Sequence, residues 1–444
     1  MNTATAQGIS PENVHTTLSN WMLTDGYPLV CDLEASKGAT LVDSRSGREY
    51  LDLFGCFGST PLGWNPDCLV DPAFLATARN AVINKPANSD IYTTEMAAFV
   101  DSFGRNLAPE GYKHFFFIDG GALAVENALK VAFDWKVRRN RAKGVDADVG
   151  QKVLHFRYAF HGRSGYTMSL TNTDPTKVDY YPKFDWPRVS SPALGFPLTD
   201  ESLAEVRQAE VQSLSEIDAA FGEYGDDIAC IIIEPIQAEG GDRHFRAEFL
   251  QSLQARCERY DCLFICDEVQ TGFFSSGKTW CHQHYDIQPD IIVFGKKAQQ
   301  CGIICGPKID LVADNAFEMS SRINSTWGGN LVDMVRATRI VEEIVTQDLA
   351  GNAETRGQQW RSGMEVIASG NSLVSNVRGL GLIMGFDLPD SNARGACLKS
   401  MMEDGLIGLA CGDRTVRFRP HLAITAEDVE RCLEKTATAL TNLS

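Results

Sequence analysis

Two neighbouring lysines are the residues of this chain most suited to covalent chemistry. An apolar run, Ile291 to Phe294, predicts a buried β-strand, and Gly295, Lys296 and Lys297 follow it directly. A lysine held out of water at the edge of a sheet has a lowered pKa and can form a Schiff base with a carbonyl compound. Taken alone, the pattern is more typical of a solvated pair of lysines. The spacing also leaves open which of the two would react.

A carboxylate stands at the corresponding position of another predicted strand. The run Leu263 to Cys266 is apolar, and Asp267 follows it. An aspartate at that point could keep a pyridine nitrogen protonated, which would make the ring an electron sink. A helix cap or a loop salt bridge is the alternative interpretation of the same residue.

Two further segments could bind an anion and an aromatic ring. Gly121 and Ala122 begin a predicted helix shortly after the apolar run His114 to Ile118, and backbone amides at the start of a helix bind phosphate. Phe160 could cover a ring, and Arg163 could bind a carboxylate through two hydrogen bonds. A tight turn and an ordinary surface loop are the alternatives.

These segments belong to an alternation of short apolar runs with longer helical patterns. Val153 to Phe156 and Ala229 to Ile233 are further runs of the strand type, and Ala122 to Arg139 has a helical apolar stripe. Strands that are apolar throughout are buried on both faces, and intervening helices indicate parallel crossovers. The sequence therefore predicts an α/β fold with a mostly parallel central sheet. Ligands bind at the carboxyl edge of such sheets, where Glu234 and Asp267 are expected.

The predicted domains follow from the same pattern. Residues 70–335 form the large α/β domain in this prediction, and residues 1–69 and 336–444 come together as a smaller α+β domain. The C-terminal part includes a predicted helix, Arg336 to Val345, and a predicted strand, Thr415 to Phe418.

Composition narrows the class of protein. The 444 residues carry a formal net charge of −17, which disfavours a nucleic acid or an anionic membrane surface as the main partner. We find no secretory signal and no apolar run long enough to span a bilayer. The 13 cysteines are scattered and odd in number, which favours reduced thiols and a cytoplasmic enzyme. Cys301 and Cys305 lack the spacing of a common zinc site, so no metal is expected.

Together the motifs resemble the class III, pyridoxal-phosphate-dependent aminotransferases of fold type I. The segment Glu234 to Gln237, the strand before Asp267 and the strand before Lys296 occur in the family's order, and the likeness runs from near residue 20 to about residue 430. The resemblance implies pyridoxal 5′-phosphate as the cofactor, bound covalently by Lys296. It also implies a homodimer in which Thr326 reaches the phosphate of the partner subunit.

The resemblance assigns roles to the other residues around the cofactor. Asp267 would pair with the pyridine nitrogen, and Gln270 would contact the ring hydroxyl. Gly121 and Ala122 would bind the phosphate through their backbone amides, and Phe160 would stack on the ring.

Three segments, residues 184–188, 234–246 and 324–330, are similar to the subgroup of this class that transfers the ε-amino group of L-lysine to 2-oxoglutarate. The likeness implies 2-aminoadipate 6-semialdehyde, which cyclises to piperideine-6-carboxylate, and L-glutamate as products of a ping-pong reaction. Ala238 is a departure, because relatives usually carry glycine there. Ornithine and 4-aminobutyrate remain open as donors.

An enzyme of this kind must bind two different substrates in one pocket. Arg163 would hold the α-carboxylate of lysine and later the far carboxylate of 2-oxoglutarate, whereas Arg417 would take the carboxylate beside the keto carbon. Glu239 would neutralise Arg417 while lysine is bound and swing away afterwards. We expect an exposed pair worth about 1 kcal/mol or less, which suits a gate that opens in every cycle. Asn324 would line the substrate pocket.

Two rival functions come from other classes. Residues 272–279 match the P-loop pattern of nucleotide hydrolases. However, Glu268 to Thr271 separate the motif from its strand, and little room for a helix remains before Pro289. A domain that holds the cofactor without catalysis is the second alternative.

Overall fold

The computed structural model describes residues 8–145 and 148–443. The first seven residues and Ser444, which belong to the two segments predicted to form the small domain, lie outside the described residues, as do residues 146 and 147.

The strands of the described chain are β1 Thr40–Val42, β2 Glu49–Asp52, β3 His114–Ile118, β4 Lys152–Phe156, β5 Arg188–Val189, β6 Ile228–Ile233, β7 Ile236–Gln237, β8 Arg243–His244, β9 Leu263–Asp267, β10 Ile291–Phe294, β11 Cys301–Cys305, β12 Ser375–Leu380, β13 Ile383–Asp387, β14 Leu406–Ile407, β15 Leu409–Cys411 and β16 Thr415–Phe418. Its α-helical segments are α1 Val14–Ser19, α2 Gly55–Gly58, α3 Asp67–Val70, α4 Pro72–Ile83, α5 Thr94–Leu107, α6 Gly121–Ala142, α7 Thr167–Leu170, α8 Asp200–Tyr224, α9 Ala247–Arg259, α10 Leu331–Thr346, α11 Leu349–Gly370, α12 Ser391–Glu403 and α13 Ala426–Thr441.

A seven-stranded sheet forms the centre of the molecule, in the order β3-β11-β10-β9-β6-β4-β5. Neighbouring strands from β10 to β5 run parallel, and only β11 is antiparallel to its neighbours. The carboxyl ends of β6, β9 and β10 therefore lie side by side at one edge. This arrangement confirms the predicted α/β fold with a mostly parallel sheet.

Helices cover both faces of this sheet. Along β6, Ile232 packs with α6 on one face, whereas Ile231 and Ile233 pack with α9 on the other. Alternate residues of a strand point to opposite faces, so burial of both faces requires an uninterrupted apolar run. That requirement explains why these strands could be recognised in the sequence.

Two smaller sheets are built from the ends of the chain. In the first, β14 pairs with β2 in parallel, so residues distant in sequence share a sheet, and β1 completes it. The second has the order β12-β13-β16-β15 and carries Arg417 on β16. Among the described residues, no helix combines the length and the apolar character needed to cross a bilayer.

The predicted elements agree closely with the observed ones. The strands at β3, β10 and β16 have the predicted bounds, and α6 extends the predicted helix by a few residues at its C-terminal end. Helix α10 begins at Leu331, five residues before the predicted start, because the side chain of Asn330 accepts a hydrogen bond from the amide of Val332 and caps it. The P-loop-like residues 272–279 form turns, followed by only a four-residue 3₁₀ turn, so no helix stands there to bind a nucleotide.

Candidate active site

A cavity of about 660 Å³ opens at the carboxyl edge of the central sheet. It is lined by eight of the predicted site residues: Gly121, Ala122, Phe160, Arg163, Glu239, Asp267, Gln270 and Lys296. Glu234, directly after β6, lines it as well. The parallel strands thus place the acids and the lysine of separate segments around one space.

Asp267 is fixed by a buried histidine. Its Oδ2 lies 2.7 Å from Nδ1 of His161, and its Oδ1 accepts a hydrogen bond from the amide of Val269. Burial alone would lower the pKa of His161, but the hydrogen bond and the charge of Asp267 raise it. The other ring nitrogen of His161 is buried without a partner among the described residues. The hydrogen bond to His161 holds the carboxylate of Asp267 in one orientation.

The two lysines occupy different environments. Lys296 lines the cavity, and its Nζ makes no hydrogen bond or ion pair with the described residues. Burial, together with the charges of Arg417 and Arg419, lowers the pKa of Lys296 to about 8. Lys297 does not line the cavity, and its Nζ donates a hydrogen bond to the carbonyl of Gly58 at 3.2 Å. The geometry favours Lys296 as the reactive amine.

The first backbone amides of α6 are not capped by a side chain of the described residues. Gly120 precedes this 22-residue helix with a φ of 97°. A Cβ added to Gly121 would lie 3.0 Å from the side chain of Val269. A larger residue at position 121 would therefore fill the space beside this backbone. The first amides of a helix lack internal partners and attract anions.

Arg417 is held by two groups that line the cavity. Its Nη1 donates to Oε1 of Gln270 at 2.9 Å, and its Nη2 forms an ion pair with Oε2 of Glu239. The neighbouring Arg419 donates to the same oxygen of Gln270 and also forms a buried ion pair with Asp242. Arg417 itself does not line the cavity.

The expectation of an exposed, weak pair between Glu239 and Arg417 is wrong. The Arg417 side chain is 1% exposed, and that of Glu239 is 23% exposed. The pair is buried on one side because β16 lies inside the four-stranded sheet. Glu239 also has a second cation, since Nζ of Lys177 lies 2.7 Å from its Oε1. Burial raises the pKa of Glu239, but Arg417 and Lys177 outweigh that effect and lower it.

Besides Arg417, two predicted site residues do not line the cavity of their own chain. Asn324 and Thr326 are exposed in the loop before α10, and the side chain of Asn324 accepts a hydrogen bond from the adjacent amide of Ser325. Their assigned roles stay predictions.

The structure adds His161, Glu234 and Lys177 to the residues with assigned roles, and of these only Glu234 was expected at this edge of the sheet. His161 follows Phe160 directly, but it lies 106 residues from Asp267, and no sequence spacing points to their contact. Burial raises the pKa of Glu234 to about 7, and its carboxylate accepts hydrogen bonds from the amides of Phe160 and Ala238. Lys177 lies 62 residues from Glu239, and no sequence spacing points to that contact.

Comparison with known proteins is consistent with this geometry. A family model of class III aminotransferases matches residues 23–440. The chain is 50% identical to an L-lysine-epsilon aminotransferase from Amycolatopsis lactamdurans, over 98% of this chain and 96% of that protein. It is 48% identical to an L-lysine-epsilon aminotransferase from Streptomyces clavuligerus, over 97% and 94%. The chain superposes on a solved lysine aminotransferase from Mycobacterium tuberculosis with a TM-score of 0.96 and 46% sequence identity. The match covers 98% of this chain and 100% of that one.

Proposed function

The chain belongs to the class III aminotransferase family, whose members depend on pyridoxal phosphate, and from that premise we propose that it moves the ε-amino group of L-lysine to 2-oxoglutarate. The products would be 2-aminoadipate 6-semialdehyde, which cyclises, and L-glutamate. The observation that carries the proposal is the ion pair between Glu239 and Arg417 beside the cavity. Arg163, on the cavity wall, has no ion-pair partner among the described residues and can take the distant carboxylate of lysine.

The residues of the cavity fit the cofactor. Lys296 offers an amine with a pKa of about 8 and no competing partner among the described residues. Asp267 presents a carboxylate that His161 orients, and the first amides of α6 can bind a phosphate. We assign the phosphate to the backbone of Gly121 and Ala122.

The cofactor supplies an electron sink that stabilises negative charge on the carbon bearing the amino group. Lys296 would hold its aldehyde through Nζ and move the proton at the substrate carbon. Asp267 would keep the ring nitrogen protonated, and Phe160 would cover the ring. Gln270 would face the ring hydroxyl through its amide nitrogen, because its oxygen accepts hydrogen bonds from Arg417 and Arg419.

Two arginines would divide the carboxylates of the two substrates. Arg163 binds the α-carboxylate of lysine, so the ε-amine of the substrate is directed toward Lys296. At this stage Glu239 neutralises Arg417, which would otherwise repel the ammonium group of the donor. When 2-oxoglutarate binds, its far carboxylate pairs with Arg163. The carboxylate beside the keto group pairs with Arg417 and replaces Glu239 there.

We further propose a homodimer in which Thr326 of one subunit completes the phosphate site of the other and Asn324 borders its substrate pocket. Trp327, beside Thr326 in the same loop, is 47% exposed, which supports a surface that a second copy covers. The free cysteines, most of them buried, support a reducing compartment such as the cytoplasm.

A donor panel tests the substrate. Purified holoenzyme is mixed with L-lysine, L-ornithine or 4-aminobutyrate, and loss of the yellow bound cofactor is followed before 2-oxoglutarate is added. We expect L-lysine to react fastest, and N-α-acetyl-lysine, which keeps the carboxylate and the ε-amine, to react more readily than N-ε-acetyl-lysine. Reaction with ornithine or 4-aminobutyrate but not with lysine would contradict the proposed donor.

A further inference from the structure

Glu239 lies between two cavities and contributes to the lining of both. Its side chain lines the active-site cavity and also a second, outer cavity of about 660 Å³. The outer cavity is lined by Lys177 and by two arginines, Arg394 and Arg414. Lys177 therefore pairs with Glu239 at the outer cavity, and its Nζ also lies 5.6 Å from the centre of the Phe160 ring.

The two oxygens of Glu239 are divided between two cations. Oε2 pairs with Arg417, whereas Oε1 lies 2.7 Å from Nζ of Lys177. Because each cation holds a different oxygen, the bond to Arg417 can break while the bond to Lys177 persists. The position of Lys177 is itself fixed, since it ends a 3₁₀ turn that begins at Pro175 and is capped by the side chain of Asp174.

Burial makes this second cation necessary. Removing one partner of a buried ion pair leaves an uncompensated charge, which costs more than an exposed pair gains. In the proposed reaction, the carboxylate of the 2-oxo acid compensates Arg417 when Glu239 leaves. Glu239 would then have no counter-charge unless another cation stays with it.

We propose that Lys177 is a positioning residue that keeps Glu239 in the outer cavity whenever Arg417 binds the carboxylate of a 2-oxo acid or of glutamate. This inference rests on the proposed function, because it requires Glu239 to leave Arg417 in one half of the cycle. Lys177 does not touch the reacting atoms, and its effect is confined to the substrate that uses Arg417.

The test compares two half-reactions of the holoenzyme. Loss of the yellow bound cofactor is measured with L-lysine, which leaves the pair of Glu239 and Arg417 closed, and with L-glutamate, which opens it. In Lys177→Met we expect the KM for L-glutamate to rise about fivefold, the range of a partly exposed ion pair, with its limiting rate unchanged. The half-reaction with lysine stays within twofold of the wild type.

Two further variants separate positioning from structure. Lys177→Arg keeps the charge and restores the KM for glutamate to within twofold. Lys183 lies in the same loop, but its Nζ donates to the carbonyl of Val178, so Lys183→Met is the matched control and leaves both half-reactions unchanged. A binding titration with glutarate, which can engage both arginines, shows the same fivefold weakening in Lys177→Met without any reaction.

The remaining outcomes overturn the inference. These are an equal change in both half-reactions, no change in either, failure of Lys177→Arg to restore binding, or the same effect in Lys183→Met. If wild-type enzyme does not react with lysine, the proposed donor is wrong, but L-glutamate and whichever amine does react still provide the same comparison for Lys177.

Discussion

The two sides of the active-site cavity are built in different ways. On the cofactor side, Asp267 ends one parallel strand of the central sheet, Lys296 follows the next, and His161 is buried against Asp267. On the carboxylate side, Arg163 is exposed and Glu239 lies in a loop between two cations. The first side is rigid because the sheet fixes it. The second can rearrange, because its contacts are ion pairs that can exchange partners.

This difference corresponds to two chemical demands. A cofactor that stays in place through both half-reactions needs one fixed set of partners. Two substrates of unlike charge need a set that changes between half-reactions. Variants on the cofactor side should therefore impair both half-reactions equally, whereas variants on the carboxylate side should separate them.

The largest effect is expected at Lys296. Lys296→Ala removes both the amine that holds the cofactor and the group that moves the proton, so we expect loss of the yellow colour and a fall of about 10³-fold or more in both half-reactions. Lys297→Ala should keep the colour, because its amine only donates a hydrogen bond to the carbonyl of Gly58. Absorbance before and after borohydride treatment measures the attachment. A colour that survives in Lys296→Ala and vanishes in Lys297→Ala would exchange the two roles.

A smaller and one-sided effect is expected at Arg417. Arg417→Gln removes a charge-assisted bond to the carboxylate beside the keto group, worth about 2 kcal/mol, so the KM for 2-oxoglutarate should rise about 30-fold. The half-reaction with lysine should change little, because Arg163 holds that carboxylate. Arg419→Gln is not a matched control, since Arg419 forms a buried ion pair with Asp242. Equal losses in both half-reactions would remove the distinction between the two sides.

A third expected effect is a pH dependence, which links the two sides. Burial, Arg417 and Arg419 lower the pKa of Lys296 to about 8 in the cofactor-free chain. Only the neutral amine attacks an aldehyde, so the rate of cofactor attachment should rise about tenfold per pH unit below pH 8 and level off above it. Stopped-flow absorbance of cofactor-free enzyme mixed with pyridoxal phosphate measures this rate.

Arg417→Gln sharpens the same experiment. Loss of that positive charge should raise the pKa of Lys296 and move the plateau to higher pH. A rate that continues to rise beyond pH 10 in the wild type, as for a solvated lysine, would show that the amine is not buried in solution.

The cofactor side could be predicted from the sequence because its signals are local. A strand that is buried on both faces must be apolar almost throughout, so β9 and β10 were recognisable. Asp267 is the last residue of β9, and Lys296 comes two residues after the end of β10. The same rule placed Glu234 at the end of β6. Parallel strands share one carboxyl edge, and this brought the residues together without further information.

The carboxylate side could not be predicted in this way because its contacts are distant in sequence. Lys177 and Glu239 are 62 residues apart, and Glu239 and Arg417 are 178 apart. The resemblance to a family suggested the second pair, but no pattern in the chain predicts that Arg417 is buried or that Glu239 has two cations. The burial of Arg417 depends on the inner position of β16 in the four-stranded sheet, and the second cation depends on a 3₁₀ turn that ends at Lys177.

The central claim is that the ε-amine of lysine, and not its α-amine, is transferred. The direct measurement uses two samples of L-lysine, labelled with ¹⁵N at the ε position or at the α position, each with 2-oxoglutarate and the wild-type holoenzyme. Mass spectrometry of the L-glutamate formed should find the label from the ε position and none from the α position. Label from the α position in glutamate would contradict the account.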